Sequence, residues 1–265
     1  MSTLDTGLSR GRFELRRFFR DRDGVVFTFA LPAFILLLLG NIFSGDLPGT
    51  DVTMGQVYAA GLIGAGIIST SFITLGVGVA EDRSNGTLKR LQGTPMAPAA
   101  YFVGKIALVL VLSLAEVALM FAVGVGVFDV ELPSDPARWV TFSWVFVLGV
   151  VSCSLLGIAA SSLARTASSA PAVMNLPYIG LQFISGVFIH LPLLPQPMVV
   201  VSSFFPLKWV AQGFRSVLLP DSMAIQEAAG TWEHGRIALV LGAWCVIGFV
   251  LCVVGFRWTG ERRGG

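Results

Sequence analysis

The sequence is poor in charge. Asp, Glu, Lys and Arg make up only 13% of its 265 residues, whereas soluble domains carry about 25%. Together with 54% hydrophobic residues and a mean hydropathy of +0.78, this deficit excludes an ordinary soluble domain and indicates a membrane protein. The net charge of +2 also argues against a nucleic-acid partner, because proteins that bind nucleic acid through bulk basicity concentrate positive charge against phosphates.

Residues that carry metal or redox chemistry are also scarce. The three cysteines all lie in apolar stretches and cannot form a disulfide framework or a Cys-x-x-Cys site. The two histidines, His190 and His234, have no Cys or acidic cluster at ligand spacing. The sequence also has no Gly-x-x-x-x-Gly-Lys-Ser/Thr loop for ATP phosphates. We therefore expect a chain that is not an enzyme and that binds neither a metal nor a cofactor.

Long charge-free stretches are what the sequence does contain. A helix needs about 20 apolar residues to cross a hydrocarbon core about 30 Å thick, and the first such run is too long and too late to be a signal peptide. We predict an all-α integral membrane protein, a single domain over 1–265, with six transmembrane helices. The predicted spans are about 25–43, 55–80, 101–127, 139–163, 171–189 and 237–256.

Positive charge is unevenly distributed between the loops. If the amino terminus is inside, 14 of the 18 Lys and Arg residues fall on the inner side, where positive residues are retained. This bias predicts that both termini are cytoplasmic. Fifteen Arg against three Lys is a composition typical of GC-rich bacterial genomes, so we expect a bacterial inner (plasma) membrane.

The segment 4–22 has apolar residues near helical spacing among six arginines. It predicts an amphipathic helix in the headgroup layer, with its arginines toward lipid phosphates. The alternative is a basic flank that only fixes topology. The residues expected to meet the lipid interface are Arg12, Arg16, Arg17 and Phe18.

The stretch 81–98, EDRSNGTLKRLQGTPMAP, lies between predicted spans two and three. Asn85-Gly86 is a turn pair, and Leu88 and Leu91 share one face of a short helix because they are three residues apart. A short exposed helix with an apolar face indicates a docking site for a protein partner, and the alternative is an ordinary basic loop. The segment 190–235, by contrast, is apolar but broken by prolines, which predicts short re-entrant helices on the outer side.

Glu116 is the one acidic residue deep inside a predicted span. It lies 11 residues from Lys105 and 13 from Asp129, or roughly 16 to 20 Å from either end at 1.5 Å per residue. Such residues usually face an interior and carry function, and a buried hydrogen bond to a Ser, Thr or Asn is the structural alternative. With it, the candidate substrate-pathway residues are Ser71, Thr74, Asn175 and Gln182.

Two motifs together resemble a known family. Glu81 to Pro95, E-D-R-S-N-G-T-L-K-R-L-Q-G-T-P, is similar to the loop of ABC-2 type transporter permeases, in which an acidic residue leads into a Gly-Thr-Leu helix and then Thr-Pro. The stretch 184–188, ISGVF, followed by Phe205-Pro206-Leu207 and Arg215, is similar to the fifth-span and outer-loop signature of the same family. The resemblance is closest to the daunorubicin-resistance branch of these exporters.

The resemblance implies a permease subunit that moves a hydrophobic or amphipathic drug, antibiotic or lipid-like compound outward by alternating access. A separate ATPase subunit would supply ATP and Mg, and a second copy or a homologous permease would complete the pathway, with membrane lipids around both. The helix at 87–92 would dock on the ATPase through Leu88 and Leu91, and Glu81 and Arg83 would belong to a polar hub beneath the membrane. Alternatives are a proton-coupled secondary transporter using Glu116, or a non-transporting membrane assembly subunit.

The residues that the resemblance assigns fall into two groups. The ATPase-coupling residues are Glu81, Asp82, Arg83, Gly86, Thr87, Leu88, Lys89, Arg90, Leu91, Thr94 and Pro95, and the outer-lid residues are Phe205, Pro206 and Arg215. Lys89-Arg90 stands where family members often have an acidic residue, which leaves open the charge of the partner's groove.

Overall fold

The structure, a computed structural model, describes residues 3–43, 45–47, 50–94 and 96–255. Pro95, which the resemblance assigns to the coupling region, lies outside these residues. Across the described ranges the regular structure is helical, apart from one isolated bridge between Asp46 and Thr53. The predicted all-α class is therefore confirmed.

The helices of the described ranges follow one another with short connections. In chain order they are α1 (Thr3–Arg20), α2 (Arg22–Ile42), α3 (Met54–Ser84), α4 (Thr87–Gln92), α5 (Pro98–Phe128), α6 (Pro136–Ser161), α7 (Ala170–Ile184), α8 (Gln196–Ser202), α9 (Pro206–Leu218) and α10 (His234–Gly255). Short 3-10 helices lie at Leu191–Leu193 and Asp221–Gln226.

Five of these helices, α2, α3, α5, α6 and α10, are long and apolar enough to cross a membrane. They coincide with five of the six predicted spans. The remaining prediction, 171–189, falls on α7, whose 15 residues extend about 22 Å and end at Ile184. The helix stops there because Gly186 takes a left-handed φ of 75°. The six-span count is thus not confirmed.

Helix α3 forms the centre of the bundle. A capping box fixes its start, since the Gln56 amide N–H donates to Thr53 Oγ1 and the Thr53 amide N–H donates to Gln56 Oε1. Its residues are apolar on every side, so nearly all of Met54–Ile68 is buried. Glycine lets neighbours approach closely: a Cβ at Gly64 would lie 3.0 Å from the Cα of Ala211 in α9.

Two of the long helices contain a π-helical segment. These are Val26–Ala30 in α2 and Ser69–Thr74 in α3. Such segments insert an extra residue into a turn and occur frequently at functional sites. The α3 segment is pressed against α6, because a Cβ at Gly157 would lie 2.6 Å from the carbonyl oxygen of Phe72.

The peripheral helices differ sharply in exposure. Helices α2 and α10 leave large apolar side chains uncovered, including Phe27 at 68% and Val254 at 81% exposed, as expected for helices that face lipid. Helix α9, which lies between α8 and α10 in the chain, has every residue buried. The predicted short helices of segment 190–235 are therefore present, and α9 is part of the core.

Candidate functional site

A cluster of buried charges joins α1, the end of α3 and the start of α5. Lys105 Nζ lies 2.8 Å from Asp82 Oδ2 and 3.1 Å from Glu14 Oε2. All three side chains are at most 4% exposed. One ammonium therefore contacts two carboxylates from two other helices, and Arg10 Nη2 also lies 2.6 Å from Glu14 Oε1. We call Glu14, Arg17, Glu81, Asp82 and Lys105 the inner hub.

The rim of the inner hub is more open. Arg17 is 48% exposed, with Nη1 3.3 Å from Asp82 Oδ1 and Nη2 3.6 Å from Glu81 Oε2. The hydroxyl of Tyr101 donates to Asp82 Oδ2 at 3.0 Å. Asp82 thus accepts from an ammonium, a guanidinium and a phenol, which offsets the cost of burying its charge. Arg17 belongs to the rim and bridges the two consecutive acids.

Small residues bring α1 against α5 so that Glu14 meets Lys105. A Cβ at Gly7 would lie 2.6 Å from Val103 Cγ1, and one at Gly11 would lie 3.1 Å from the Cβ of Ala107. Because both pairs advance by four residues, α1 runs parallel to the first turns of α5. Any larger residue at Gly7 would push the helices apart and separate the charges.

Arg83 points away from the inner hub. Its Nη2 donates to the carbonyl oxygens of Ser161 at 2.5 Å and Ala164 at 2.8 Å, so it satisfies carbonyl groups at the end of α6. The resemblance grouped Arg83 with Glu81 in one polar hub. In the structure Glu81 meets Arg17, while Arg83 ties α3 to α6.

Helix α4 follows α3 after a single tight turn. Gly86 has a φ of 69°, a left-handed conformation that glycine adopts without steric cost, as the Asn85-Gly86 pair predicts. Leu88 is fully buried within the chain, whereas Lys89, Arg90 and Thr94 are exposed and Thr87 and Leu91 are half-buried. Of the two predicted docking leucines, only Leu91 is accessible from outside.

A cavity of about 450 Å³ opens beside the inner hub. Charged residues of the inner hub line one part of it, and Phe18, Phe27 and Leu31 line another. Two candidate pathway residues, Thr74 and Asn175, also lie in its wall. The cavity therefore combines charged, polar and aromatic surface, which suits an amphipathic ligand.

Glu116 lies deeper, against the π-helical segment of α3. Its carboxylate is 1% exposed and accepts a hydrogen bond from Thr70 Oγ1, while Oε1 has no partner among the described residues. A Cβ at Gly66 would lie 2.5 Å from Oε1, so glycine makes room for the carboxylate. This is the buried hydrogen bond that the structural interpretation of Glu116 predicts.

The other two candidate pathway residues are engaged locally. The hydroxyl of Ser71 donates to the carbonyl oxygen of Ile67, and Gln182 Nε2 donates to the Tyr178 hydroxyl at 2.9 Å. Neither residue, nor Glu116, lines the cavity beside the inner hub. The structure thus divides the predicted pathway set into two cavity residues and three packed ones.

Comparison with known proteins identifies the family. Residues 11–219 match the family described as ABC-2 type transporter. The chain belongs to the ABC-2 type transporter family. It is also 20% identical over 193 residues to "Putative transport permease YvfS" of Bacillus subtilis (strain 168), across 73% of this chain and 77% of the relative. The chain is thus a multi-pass membrane protein and a transporter, from a family of membrane subunits that lack an ATP site and work with an ATP-binding subunit.

Residues 190–235 of this ABC-2 protein, which we call the outer segment, contain a second buried ion pair. Arg215 donates from Nε and Nη2 to the two Glu227 oxygens at 2.6 and 3.1 Å, and from Nη1 to the carbonyl oxygen of Gly186 at 3.1 Å. Pro206 opens α9, and Phe205 stacks on Trp244 with ring centroids 6.4 Å apart. The predicted lid residues therefore hold α7, α9 and α10 together.

Two of the predicted interfacial residues of the ABC-2 chain lie at the surface, and the other two lie at the site. Arg12 and Arg16 are exposed. Arg17 joins the inner hub, and Phe18 lines the cavity and contacts Phe29 edge to face. One helix thus presents arginines outward and also contributes to the site.

Sequence reasoning missed two central members of the inner hub. Lys105 served only as the boundary of a predicted span, and Glu14 was overlooked among the arginines of segment 4–22. A usable signal existed: Glu14 is an acid about one helical turn from both Arg10 and Arg17, on the same face as Gly7 and Gly11.

Proposed function

We propose that the chain is the membrane subunit of an ATP-binding cassette exporter. It moves a hydrophobic or amphipathic compound, such as a drug, antibiotic or lipid-like molecule, outward by alternating access. A separate ATPase subunit binds ATP and Mg, and a second copy or a homologous permease completes the pathway. One observation carries the proposal: Glu14, Arg17, Glu81 and Lys105 belong to the inner hub and also line the cavity.

The geometry provides a route from the partner to the cavity. Helix α4 is connected to α3 through the turn at Gly86, and α3 carries Glu81 and Asp82 just before that turn. A displacement of α4 would therefore change the ion pairs that Glu81 and Asp82 form with Arg17 and Lys105. Arg17 and Lys105 also line the cavity. The ATPase would shift the equilibrium between two arrangements by contacting them unequally.

The docking surface that we propose differs from the one expected from the sequence. Leu88 is buried and holds α4 against the chain, so the partner would contact the exposed Arg90 and the half-buried Leu91. A basic residue here favours an acidic groove on the ATPase.

Membrane placement follows from helix length and charge. Helix α5 has 31 residues, or about 46 Å at 1.5 Å per residue, so its first turns extend beyond a core about 30 Å thick. Helix α1 accompanies those turns and would lie at the headgroup layer. We place both termini in the cytoplasm of a bacterial cell, with α8 and α9 as the re-entrant outer lid.

Glu116 gives weaker support to proton-coupled transport. Its carboxylate is 1% exposed and lies outside the lining of the cavity, so a proton site there would not adjoin the ligand. The amphipathic cavity supports export more directly.

Co-expression with an ATP-binding cassette ATPase, sought first in the neighbouring reading frames, tests the proposal. We expect the two chains to co-purify, and Arg90→Glu with Leu91→Asp to abolish co-purification and ligand-stimulated ATP hydrolysis. Arg20→Glu, an exposed charge reversal at the end of α1, is the matched control. Unchanged assembly in the double variant would refute the docking surface.

Transport is tested in inside-out vesicles with a fluorescent lipophilic amine. Asn175→Leu and Thr74→Leu should each change its uptake or concentration dependence while assembly with the ATPase persists. A complex that hydrolyses ATP and moves no compound in a broad panel would instead indicate an assembly subunit.

A further inference from the structure

A second, smaller cavity lies at the same end of the bundle as α4. It has a volume of about 360 Å³ and lies between the end of α3, the start of α4 and the residues that follow α6. Its lining contains three cations, Arg83, Lys89 and Arg165, together with Ser84 and Gly86. None of the described residues that line it carries a carboxylate. We call it the basic pocket.

The cations of the basic pocket are available to a ligand. Lys89 and Arg165 are exposed, and none of the three cations forms an ion pair with a described residue. Arg83 donates to the carbonyl groups of Ser161 and Ala164 through Nη2 alone. Its Nε and Nη1 groups can therefore donate to a ligand. Three positive charges around one concave space repel one another, so an anion bound there would relieve their repulsion.

The depth of the basic pocket in the membrane indicates which anion it would bind. Ala80 is the last residue of a charge-free stretch in α3, and Ala164 is the last before Arg165. Both are buried and line the pocket, so its floor lies where these two charge-free segments end. Phospholipid phosphates occupy that layer, and basic pockets between transmembrane helices on the cytoplasmic side bind acidic lipid headgroups.

An apolar groove is lined by residues that directly precede those of the basic pocket in the sequence. It has a volume of about 380 Å³ and runs between α6, α7 and α10. Ser162 and Leu163 line its end, and the next two residues, Ala164 and Arg165, line the basic pocket. From there the groove follows α6 back to Cys153 and reaches Trp244 in α10. A groove of this composition fits an acyl chain.

We propose that the basic pocket and the groove form a binding site for an anionic phospholipid of the membrane. The phosphate contacts Lys89, Arg165 and the remaining nitrogens of Arg83, and one acyl chain occupies the groove. The bound lipid then bridges the α3–α4 turn to the end of α6, so that it fixes the direction of α4. This site is separate from the cavity beside the inner hub and from the exposed arginines of α1.

The test measures lipid retained by the full chain without any ATPase. Purified protein is titrated with dioleoyl phosphatidylglycerol or dioleoyl phosphatidylcholine in detergent, and bound lipid is counted by native mass spectrometry. We expect one tightly held phosphatidylglycerol, and an affinity about thirty-fold lower in Lys89→Gln/Arg165→Gln, from about 1 kcal/mol per basic residue near an anionic surface. Arg90→Gln, an exposed cation outside the pocket lining, should keep the wild-type affinity.

Two further arms address the source of the phosphate and the role of the groove. Glycerol phosphate at millimolar concentration should not displace the lipid, and Ala160→Trp, which fills the groove, should weaken lipid retention. Equal retention in the double variant and wild type would overturn the proposal, as would displacement by glycerol phosphate. Loss of ATPase co-purification in Lys89→Gln/Arg165→Gln with lipid binding intact would assign the pocket to a partner carboxylate and also overturn it.

Discussion

Two buried charge clusters, one at each end of the bundle, are built differently. In the inner hub one ammonium, Lys105, serves two carboxylates, Glu14 and Asp82, from two other helices. In the outer segment Arg215 and Glu227 form a closed two-pronged pair, only 12 residues apart in the chain. Glu14, Asp82, Lys105 and the Arg215–Glu227 pair are each at most 4% exposed, whereas Arg17 at the rim of the hub is 48% exposed.

The two clusters differ in whether their charged groups can exchange partners. The outer pair satisfies both carboxylate oxygens with one guanidinium, and Arg215 also binds the Gly186 carbonyl, so it holds the outer segment in one arrangement. The inner hub contains more acids than buried cations, and the half-exposed Arg17 lies near two of them. A charge network with an exchangeable member can adopt a second pairing, as a transmitting element requires.

The largest effect is expected at Lys105. Lys105→Met leaves Glu14 and Asp82 buried without their shared cation, and breaking a buried pair by removing one partner costs about 3 to 5 kcal/mol. The free energy of unfolding, followed by tryptophan fluorescence in detergent, should fall by about that amount. Arg16→Met, an exposed arginine of α1, should leave it nearly unchanged. A wild-type value for Lys105→Met would mean that the hub does not hold α1.

The outer pair should tolerate a replacement that the inner hub does not. Arg215→Met alone leaves Glu227 buried and unpaired, with a cost of about 3 kcal/mol. Adding Glu227→Met should recover most of that loss, because an apolar pair of similar volume often replaces a buried ion pair at little cost. For the hub, Lys105→Met with Asp82→Asn leaves the buried Glu14 with Arg10 as its remaining cation, Nη2 lying 2.6 Å from Glu14 Oε1, and should recover less. Equal recovery in both clusters, measured by thermal unfolding, would remove the distinction.

Features that depend on local sequence were predictable. Charge-free runs predicted five helices that are long enough to span, because hydrophobic length is a local property. The turn at Gly86 was likewise predictable from the Asn85-Gly86 pair. The fifth predicted span was too long, since composition does not reveal that the helix ends at Ile184, just before the left-handed Gly186.

What the sequence could not predict depends on long-range packing. Glu14 and Lys105 are 91 residues apart, and only the close contact of α1 with α5 shows that they meet. The burial of Leu88 has the same origin: its helical face was predictable, but which partner covers that face was not. For Glu116 the sequence left a pathway role and a buried hydrogen bond open, and its partner Thr70 became evident only from the packing of α3 against α5.

A smaller effect is expected at the rim of the hub. Arg17→Gln removes the half-exposed guanidinium, and exposed or partly exposed pairs contribute about 0 to 1 kcal/mol. Global stability should change little, while amide hydrogen exchange in the second half of α1 should become faster. Arg12→Gln is the matched control. Unaltered exchange in Arg17→Gln would indicate that Lys105 alone fixes α1.

The smallest effect concerns pH at the outer segment. Burial lowers the pKa of His190 below its ordinary value of 6.5, although its Nε2 lies 3.4 Å from Gln226 Oε1. The unfolded chain therefore takes up a proton first as the pH falls through 6.5, so the free energy of unfolding falls from there to the pKa of the folded state and then levels off. Because the ring is only partly shielded, the melting temperature of wild type relative to His190→Gln should fall by only about 1 to 2 °C between pH 7.5 and 5.5. A difference that stays constant over this range, or that favours wild type at low pH, would show that His190 does not tune the outer cluster.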